Sequence, residues 1–401
     1  MDVLTRRGFL RLAGATGAAL LATRAGAQVP GPQLPAPAAQ PRAIPMRPLG
    51  RTGIRIPILG LGGMFDTRSA QLLLRQSIPW GVSFWDTADC YENGNSEEGF
   101  GRFFQRSPAD RDKVFLVTKS DPTDPEGMTR VLDQSLRRMQ TSRIDLFLMH
   151  GIKTEAPLNP SVRRWAQENK AAGRIRLFGF STHRHMEPLM EAAAASGFVD
   201  AVMVSVNYRL LGQPEMSKAL EACRRAGVGV IAMKFKGGAP VPGTPGIEAR
   251  LDDWMNRRGF TREQAMLKAL WEHPAIASVC AAITSFGTLK EYAAAALDTP
   301  RLADDERKAL LEYAEATRGG FCRACGACEA ATGAPVPDAM RCLMYENAYG
   351  DRQRAVEGWA RIPDVARSRL DRADWSEAER ACPNRLPVAR LVGDALRRYG
   401  T

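Results

Sequence analysis

Three apolar runs in this chain end in side chains that can move a proton. FWDTADCY, Phe84 to Tyr91, reads as a β-strand that ends at Asp86 in an acidic turn, with Tyr91 five residues on. VFLVTK ends in Lys119 and DLFLMH in His150. One polar strand end is an ordinary cap. Three in consecutive strands, with a tyrosine beside the first, are harder to explain that way. If the strands are parallel neighbours, Asp86, Tyr91, Lys119 and His150 converge at one end of a barrel. A tyrosine hydroxyl, with its pKa of about 10, is a poor acid at neutral pH. A neighbouring ammonium favours the phenolate and lowers that value. Asp86 would hold Lys119 charged and oriented, and His150 could donate a hydrogen bond to a carbonyl oxygen. Together they would polarise a carbonyl and deliver a proton to it while a hydride arrives at carbon.

A second set of reactive residues lies near the C-terminus. Cys322, Cys325 and Cys328 have the spacing C-x2-C-x2-C, the opening of a bacterial [4Fe–4S] run. The run should continue to a cysteine at 332, which is Thr332, and a Cys-Pro pair occurs instead at Cys382-Pro383. In two-cluster ferredoxins the fourth cysteine of each run serves the other cluster. If Cys382 ends a degenerate second run, that run's first three positions are Arg372, Trp375 and Ala378. The second cluster's ligands (Thr332, Arg372, Trp375, Ala378) are then all absent, and the first cluster's (Cys322, Cys325, Cys328, Cys382) are all present. This predicts one [4Fe–4S] cluster. A zinc site with four cysteine ligands and periplasmic disulfides are the alternatives. Cys90, Cys223, Cys280 and Cys342 read as ordinary buried thiols.

The elements between these sets alternate strand and helix from Arg47 to about Thr317. Eight apolar runs of strand length alternate with eight helical segments, beginning with IPILGLGG and ending with SVCAAIT and TLKEYAAAA. Runs apolar at every position suit strands buried on both faces. Eight βα units predict an α/β fold, a closed (β/α)8 TIM barrel over residues 47–318. An open doubly wound sheet is the alternative, but no GxGxxG follows the first strand. From about Gly319 strands vanish and Arg-rich helical segments appear, so residues 319–401 read as a small, mainly helical iron–sulfur module. Of 401 residues, 45% are apolar, enough for a large core. The net charge of +11 is interleaved with carboxylates rather than striped, which argues against nucleic acid as a partner. No run approaches a membrane span of about 18 apolar residues, so no stable membrane anchor is expected.

The barrel resembles the aldo/keto reductase family from Arg47 to about Ala296. The matching pieces are RPLGRTGIRIPILGLGG, WDTADCYENGNSEEGFGRFF, FLVTKS, IDLFLMHG, GRIRLFGFST and GVGVIAMK, in the family's order and spacing. The resemblance implies a catalytic tetrad of Asp86, Tyr91, Lys119 and His150, and reduction of a carbonyl, or the reverse, with NADP(H) or NAD(H). It also implies cofactor-binding positions at Ser181, Asn207, Lys234 and Ser285. The chain departs from the family there. Thr182 replaces the asparagine after the fifth strand, Met203 a common glutamine, Met233 an aromatic, Ser285 a glycine and Ala295 an asparagine. Some members carry a ferredoxin-like C-terminus, in keeping with the cysteine reading.

TRRGFLR, Thr5 to Arg11, resembles a twin-arginine export motif. A weakly apolar stretch and the small-x-small site Ala25-Gly26-Ala27 follow. Residues 1–27 therefore read as a signal and 28–46 as a Pro/Ala-rich linker. That route exports folded proteins, so the expected location is periplasmic or extracytoplasmic, with the export machinery as a partner. Three functions compete: an exported reductase of small carbonyl or alcohol compounds, a redox enzyme coupled through its cluster to an electron-transfer partner, and a non-catalytic barrel with a structural cluster. The sequence does not identify the substrate.

Overall fold

The computed structural model describes residues 43–238, 246–298 and 301–400. The export segment and nearly all of the linker lie outside the described residues. Eight parallel strands follow in chain order: β1 (Leu59–Gly62), β2 (Phe84–Asp86), β3 (Phe115–Ser120), β4 (Ile144–Met149), β5 (Ile175–Thr182), β6 (Ala201–Val204), β7 (Gly229–Met233) and β8 (Ile276–Ala282). Each pairs with the next, and β8 returns to β1 in the register Val279↔Leu59 to Ala282↔Gly62. That last pairing closes the expected barrel and excludes the open sheet.

The continuous apolar runs are explained by two cores. Leu146 and Leu148 of β4 point into the barrel with Phe84, Val117 and Ile231. Phe147 and Met149 point outward into the layer between strands and helices. Trp85 is fully buried in that layer, 5.1 Å from the rings of Phe100 and Phe103, and donates to Ser77 Oγ at 2.9 Å. It anchors the strand that carries Asp86, and its truncation to Ala would cost about 3–5 kcal/mol. A hairpin of two short strands, Met46–Pro48 and Arg55–Pro57, plugs the barrel floor with Leu49 and Ile56. Its turn needs Gly50, where φ is +57° and a Cβ would sit 2.2 Å from Gly227 O.

Two further helices, Ile247–Asn256 and Asp304–Ala316, join the eight expected. The first buries only Leu251 and Met255, too weak an apolar stripe to read from sequence.

The C-terminal segment has no strand among its described residues. Its helices, including Ala327–Thr332, Val336–Tyr349, Arg352–Ala360, Trp375–Ala381 and Val388–Tyr399, enclose a core of their own around Leu343, Trp359, Leu370 and Val392. This module is packed on the end of the barrel where the strands finish. Arg184, just past β5, pairs with Glu329 and Asp338. Arg323 pairs with Glu187 at 3.0 Å, and Arg354 donates to Met64 O at 2.6 Å.

Candidate active site

The strand ends bring the four proton-handling residues together. Asp86 closes β2, Lys119 is the penultimate residue of β3, and His150 follows β4 by one residue. Lys119 Nζ lies 2.7 and 2.8 Å from the two oxygens of Asp86 and donates to Thr87 O at 2.7 Å. It also meets Tyr91 Oη at 3.4 Å and sits 4.7 Å from the centre of that ring. The Tyr91 and His150 rings are edge to face, 5.6 Å apart. Tyr91 begins a tight turn, Tyr91–Gly94, in which Glu92, Asn93 and Gly94 all take positive φ (51°, 56° and 91°). That uncommon run of left-handed residues fixes where the phenol points.

Burial pushes the Asp86 carboxyl up, against the pull of Lys119. The pair is ionic, because a neutral carboxyl would leave the buried ammonium without its counter-charge. The expectation that Lys119 lowers the Tyr91 pKa is not met. Burial first, and the Asp86 carboxylate second, hold the phenol well above its ordinary value. The ammonium's short contacts are with Asp86 and Thr87, and its contact with the phenol is the longer one.

Sequence reasoning missed Asp121. Its Oδ1 is 2.6 Å from His150 Nδ1. The carboxylate accepts, so Nδ1 carries hydrogen and Nε2 of a neutral ring is an acceptor. Burial lowers the His150 pKa, with the Asp121 hydrogen bond opposing. With Nδ1 taken up by Asp121, Nε2 is the ring nitrogen left for a ligand, and the Tyr91 hydroxyl lines the same cavity. The available signal was an acidic residue two positions past Lys119. Cys90 is a further correction. It is not an ordinary core thiol but lines the mouth, with Sγ 3.6 Å from both His150 Nδ1 and Asp121 Oδ1. Asp89 has a buried oxygen without a partner, and burial, then Asp121 and Glu97, push its carboxyl up to about 7. Donor atoms of Asp89, Cys90, Asp121 and His150 lie within 4.8 Å of one another. Hydrogen bonds within the group already account for Cys90, Asp121 and His150.

The positions that the resemblance assigns to a nicotinamide cofactor are arranged differently. Ser181 Oγ accepts from Gly151 N at 3.0 Å, and Asn207 Oδ1 from Arg209 N at 3.1 Å. Lys234 Nζ lies 2.9 Å from His183 Nδ1, and the Tyr345 ring of the C-terminal module covers it at 5.2 Å. Burial drives both Lys234 and His183 well below their ordinary values, and the positive charges around each push in the same direction. Ser285 caps the helix Phe286–Leu297, accepting from Thr288 N at 3.1 Å. The space left is a cavity of about 90 Å³ lined by Asn207, Lys234, Phe321, Met340 and Arg341, well below the roughly 300 Å³ of a small ligand pocket. With Ser181 Oγ, Asn207 Oδ1 and Lys234 Nζ already engaged and so little space left, this strip does not fit a nicotinamide as it stands.

The four motif cysteines do come together. Cys322, Cys325, Cys328 and Cys382 line one cleft with Val336, Pro383 and Leu386, and all four are free thiols. Ala324 N and Leu386 N point at the sulfurs of Cys322 and Cys382, at 3.4 and 3.5 Å. Among the described residues, no three of these sulfurs gather within 4.8 Å of one another. Sulfurs around a tetrahedral zinc, at Zn–S of about 2.3 Å, would stand about 3.8 Å apart. Of the missing second set, Thr332 donates to Cys328 O at 2.8 Å and Ala378 is fully buried in the module's core.

Comparison with known proteins places this geometry. The profile described as "Aldo/keto reductase family" matches residues 58–293. The oxidoreductase YrpG of Bacillus subtilis, itself uncharacterized, is 31% identical over 209 residues, covering 46% of this chain and 64% of that protein. The fission-yeast protein named aldo-keto reductase yakc [NADP(+)] is 28% identical over 211 residues, covering 47% and 60%. The chain thus spans less than two thirds of these relatives. A thermostable aldo-keto reductase solved with the inhibitor epalrestat superposes with a TM-score of 0.55 at 26% identity, over 67% of this chain and 99% of that one. An aldo-keto reductase of Bacillus halodurans gives the same TM-score at 22% identity, over 68% and 97%, a likeness of fold.

Proposed function

Because the chain belongs to the aldo/keto reductase family, a family of oxidoreductases that typically use NADP(H), we propose that it interconverts a small carbonyl compound and its alcohol at the barrel mouth, with Tyr91 as the proton donor and acceptor. The observation that carries this reading is the ion pair of Lys119 with Asp86, at 2.7 Å, set against a protonated Tyr91. In the reducing direction an external two-electron donor, a hydride donor of the nicotinamide type or a reduced carrier delivering two electrons and a proton, reduces the carbonyl carbon, and Tyr91 Oη gives its proton to the substrate oxygen. The charge left on the phenolate is met by Lys119, 3.4 Å away, and Asp86 keeps that ammonium in place. No binding site for that donor is assigned over β5 to β7, because the strip is filled. The test is turnover of a carbonyl panel by the purified chain with two donors, NADPH and reduced methyl viologen. Under whichever donor supports the wild type, Tyr91→Phe should lower kcat/KM by about 10²–10⁴-fold. Turnover within threefold of wild type would overturn the assignment to Tyr91, and no turnover by the wild type with either donor would favour the non-catalytic barrel.

Within the same proposal, Cys322, Cys325, Cys328 and Cys382 hold one [4Fe–4S] cluster, which when bound supplies single-electron transfer. The C-x2-C-x2-C run joined by a Cys-Pro, and the two backbone N–H groups aimed at its sulfurs, support a cluster over a zinc ion. A second reading, in which the cluster feeds the barrel from an external carrier, is favoured by one observation. Cys322 lines the same small cavity as His183, Asn207 and Lys234. If it is right, the cluster passes two electrons in succession to each carbonyl, so substrate should reoxidise a dithionite-reduced cluster within the turnover time, read from its visible absorbance, with one alcohol formed for every two clusters oxidised. A cluster that stays reduced removes this reading. Export by the twin-arginine route, with the cluster already inserted, completes the proposal.

A further inference from the structure

The largest space at the barrel mouth is a cavity of about 370 Å³ with Tyr91 and His150 on its floor. Its barrel side continues through Cys90, Asp121 and Lys153, and its far wall comes from the C-terminal module. Helix Val336–Tyr349 contributes Arg341 and Tyr345, and helix Arg352–Ala360 contributes Arg354 and Glu357, with Arg361 just beyond it. The lining holds five cationic side chains (Lys153, Arg184, Arg341, Arg354 and Arg361) against three carboxylates, Glu92, Asp121 and Glu357. Not all of this charge is free. Arg184 and Arg341 share Asp338, and Arg354 leans on Glu92 and Asp351 at 3.7 and 3.5 Å. Arg361 and Lys153 are exposed and have no ion pair among the described residues. Arg361 lies close enough for its charge to act on Asp121 and Cys90 at the cavity floor.

We infer that the C-terminal module is the specificity wall of this active site, and that the substrate is an anionic carbonyl or alcohol compound whose carboxylate or phosphate is held by Arg361 and Lys153 while its reacting oxygen faces Tyr91. The inference rests on the catalytic reading of Tyr91 given above. A cavity bounded by protein on both sides focuses the field of an excess of positive charge. A guanidinium offers a planar fork that matches either anion. The neighbouring arginines are tied down by Asp338 and by Met64 O, so they shape the wall rather than swing into the ligand. The two cations without partners are the ones left to bind. A cavity near the lower end of the ligand-pocket range calls for a small compound. On this view the module does more than hold iron, because it also completes a site that the barrel leaves half built.

The experiment measures binding without turnover, so that its failure is distinct from a failure of the catalytic reading. Cluster-loaded full-length Tyr91→Phe protein is titrated calorimetrically with two matched pairs of probes. The carboxylate arm compares 4-carboxybenzaldehyde with its methyl ester, and the phosphate arm compares glyceraldehyde 3-phosphate with glyceraldehyde. At least one anion should bind about tenfold or more tightly than its neutral partner, with the preference shrinking as salt is added. The arm with the larger ratio identifies the anion. Arg361→Gln and Lys153→Gln, both surface changes, should each reduce that ratio by about threefold to tenfold and leave the neutral probe within twofold. Equal binding of anion and neutral probe, no binding of either anion at millimolar concentration, or loss of both probes alike in Arg361→Gln would overturn the inference.

Discussion

Two lysines stand at the ends of barrel strands, Lys119 on β3 and Lys234 just past β7, and they have opposite fates. Lys119 has a carboxylate at 2.7 Å and a phenol at 3.4 Å. Lys234 has an imidazole at 2.9 Å, a tyrosine ring above it and only positive charges in its field (Arg341, Arg354 and Lys119). The first has a counter-charge beside it, whereas the second is an amine that burial and neighbouring cations push well below its ordinary pKa. The same split divides the mouth. On the β2–β4 side polar atoms face a cavity large enough for a substrate. On the β5–β7 side they are spent on one another beneath the C-terminal module. A strand end supplies an address, and its neighbours decide whether the residue there can do chemistry.

The sharpest way to break this comparison is to remove Lys119. Lys119→Met leaves the Asp86 carboxylate buried without a partner, which should cost about 3–5 kcal/mol of stability. The loss would be read from denaturant unfolding of the cluster-loaded protein. Activity should fall as well, because nothing then meets the charge left on Tyr91. The double variant Lys119→Met with Asp86→Leu should recover part of the stability and none of the activity. A loss below about 1 kcal/mol in the single variant would mean that the pair is not ionic.

A smaller effect sharpens the electrostatics of the working side. The Asp89 carboxyl is pushed up to about 7 by burial and by Asp121 and Glu97. The folded chain therefore holds a proton that the unfolded chain gives up near pH 4. Stability from this group is fully present below about pH 4 and is lost as pH rises toward about 7. Asp89→Asn should match wild type at pH 4 and exceed it above pH 7. Asp89 is partly exposed, so screening trims the gain to about 1–2 kcal/mol. Parallel stability–pH curves for the two proteins would contradict this account.

The barrel and the convergence of Asp86, Tyr91, Lys119 and His150 at its mouth were legible because both follow local rules. Runs such as IDLFLM are apolar on both faces only when a strand lies between two cores, and a lone polar residue at the end of such a run stands out. Cys382 was paired with the first run by a spacing rule, and the fold brings it to Cys322, Cys325 and Cys328. What stayed hidden depends on distant partners or on burial. Arg184 and Asp338 lie 154 residues apart, and nothing in either segment names the other. The placement of the module over the mouth, and with it the filling of the β5–β7 strip, rests on contacts of that kind. The sign of the Tyr91 shift was misread for the second reason. Lysine adjacency was visible in the sequence, but the desolvation that outweighs it was not.

On turnover, Lys234 offers the smallest and most discriminating effect. Its folded pKa lies well below the free value of about 10.4, so at neutral pH the unfolded chain binds a proton that the folded chain does not. Its contribution to stability is therefore present above about pH 10.4 and is lost as pH falls toward the folded value. Lys234→Met removes that penalty and also removes one hydrogen bond to His183, worth about 1 kcal/mol. The variant should be more stable than wild type at pH 7 and lose that gain steadily toward pH 10, where the native amine no longer costs anything and the missing hydrogen bond leaves the variant about 1 kcal/mol behind. Its turnover should stay within about threefold of wild type, since a neutral amine under Tyr345 handles no proton in the reaction. A hundredfold loss of turnover would give Lys234 a catalytic part and erase the division between the two sides of the mouth.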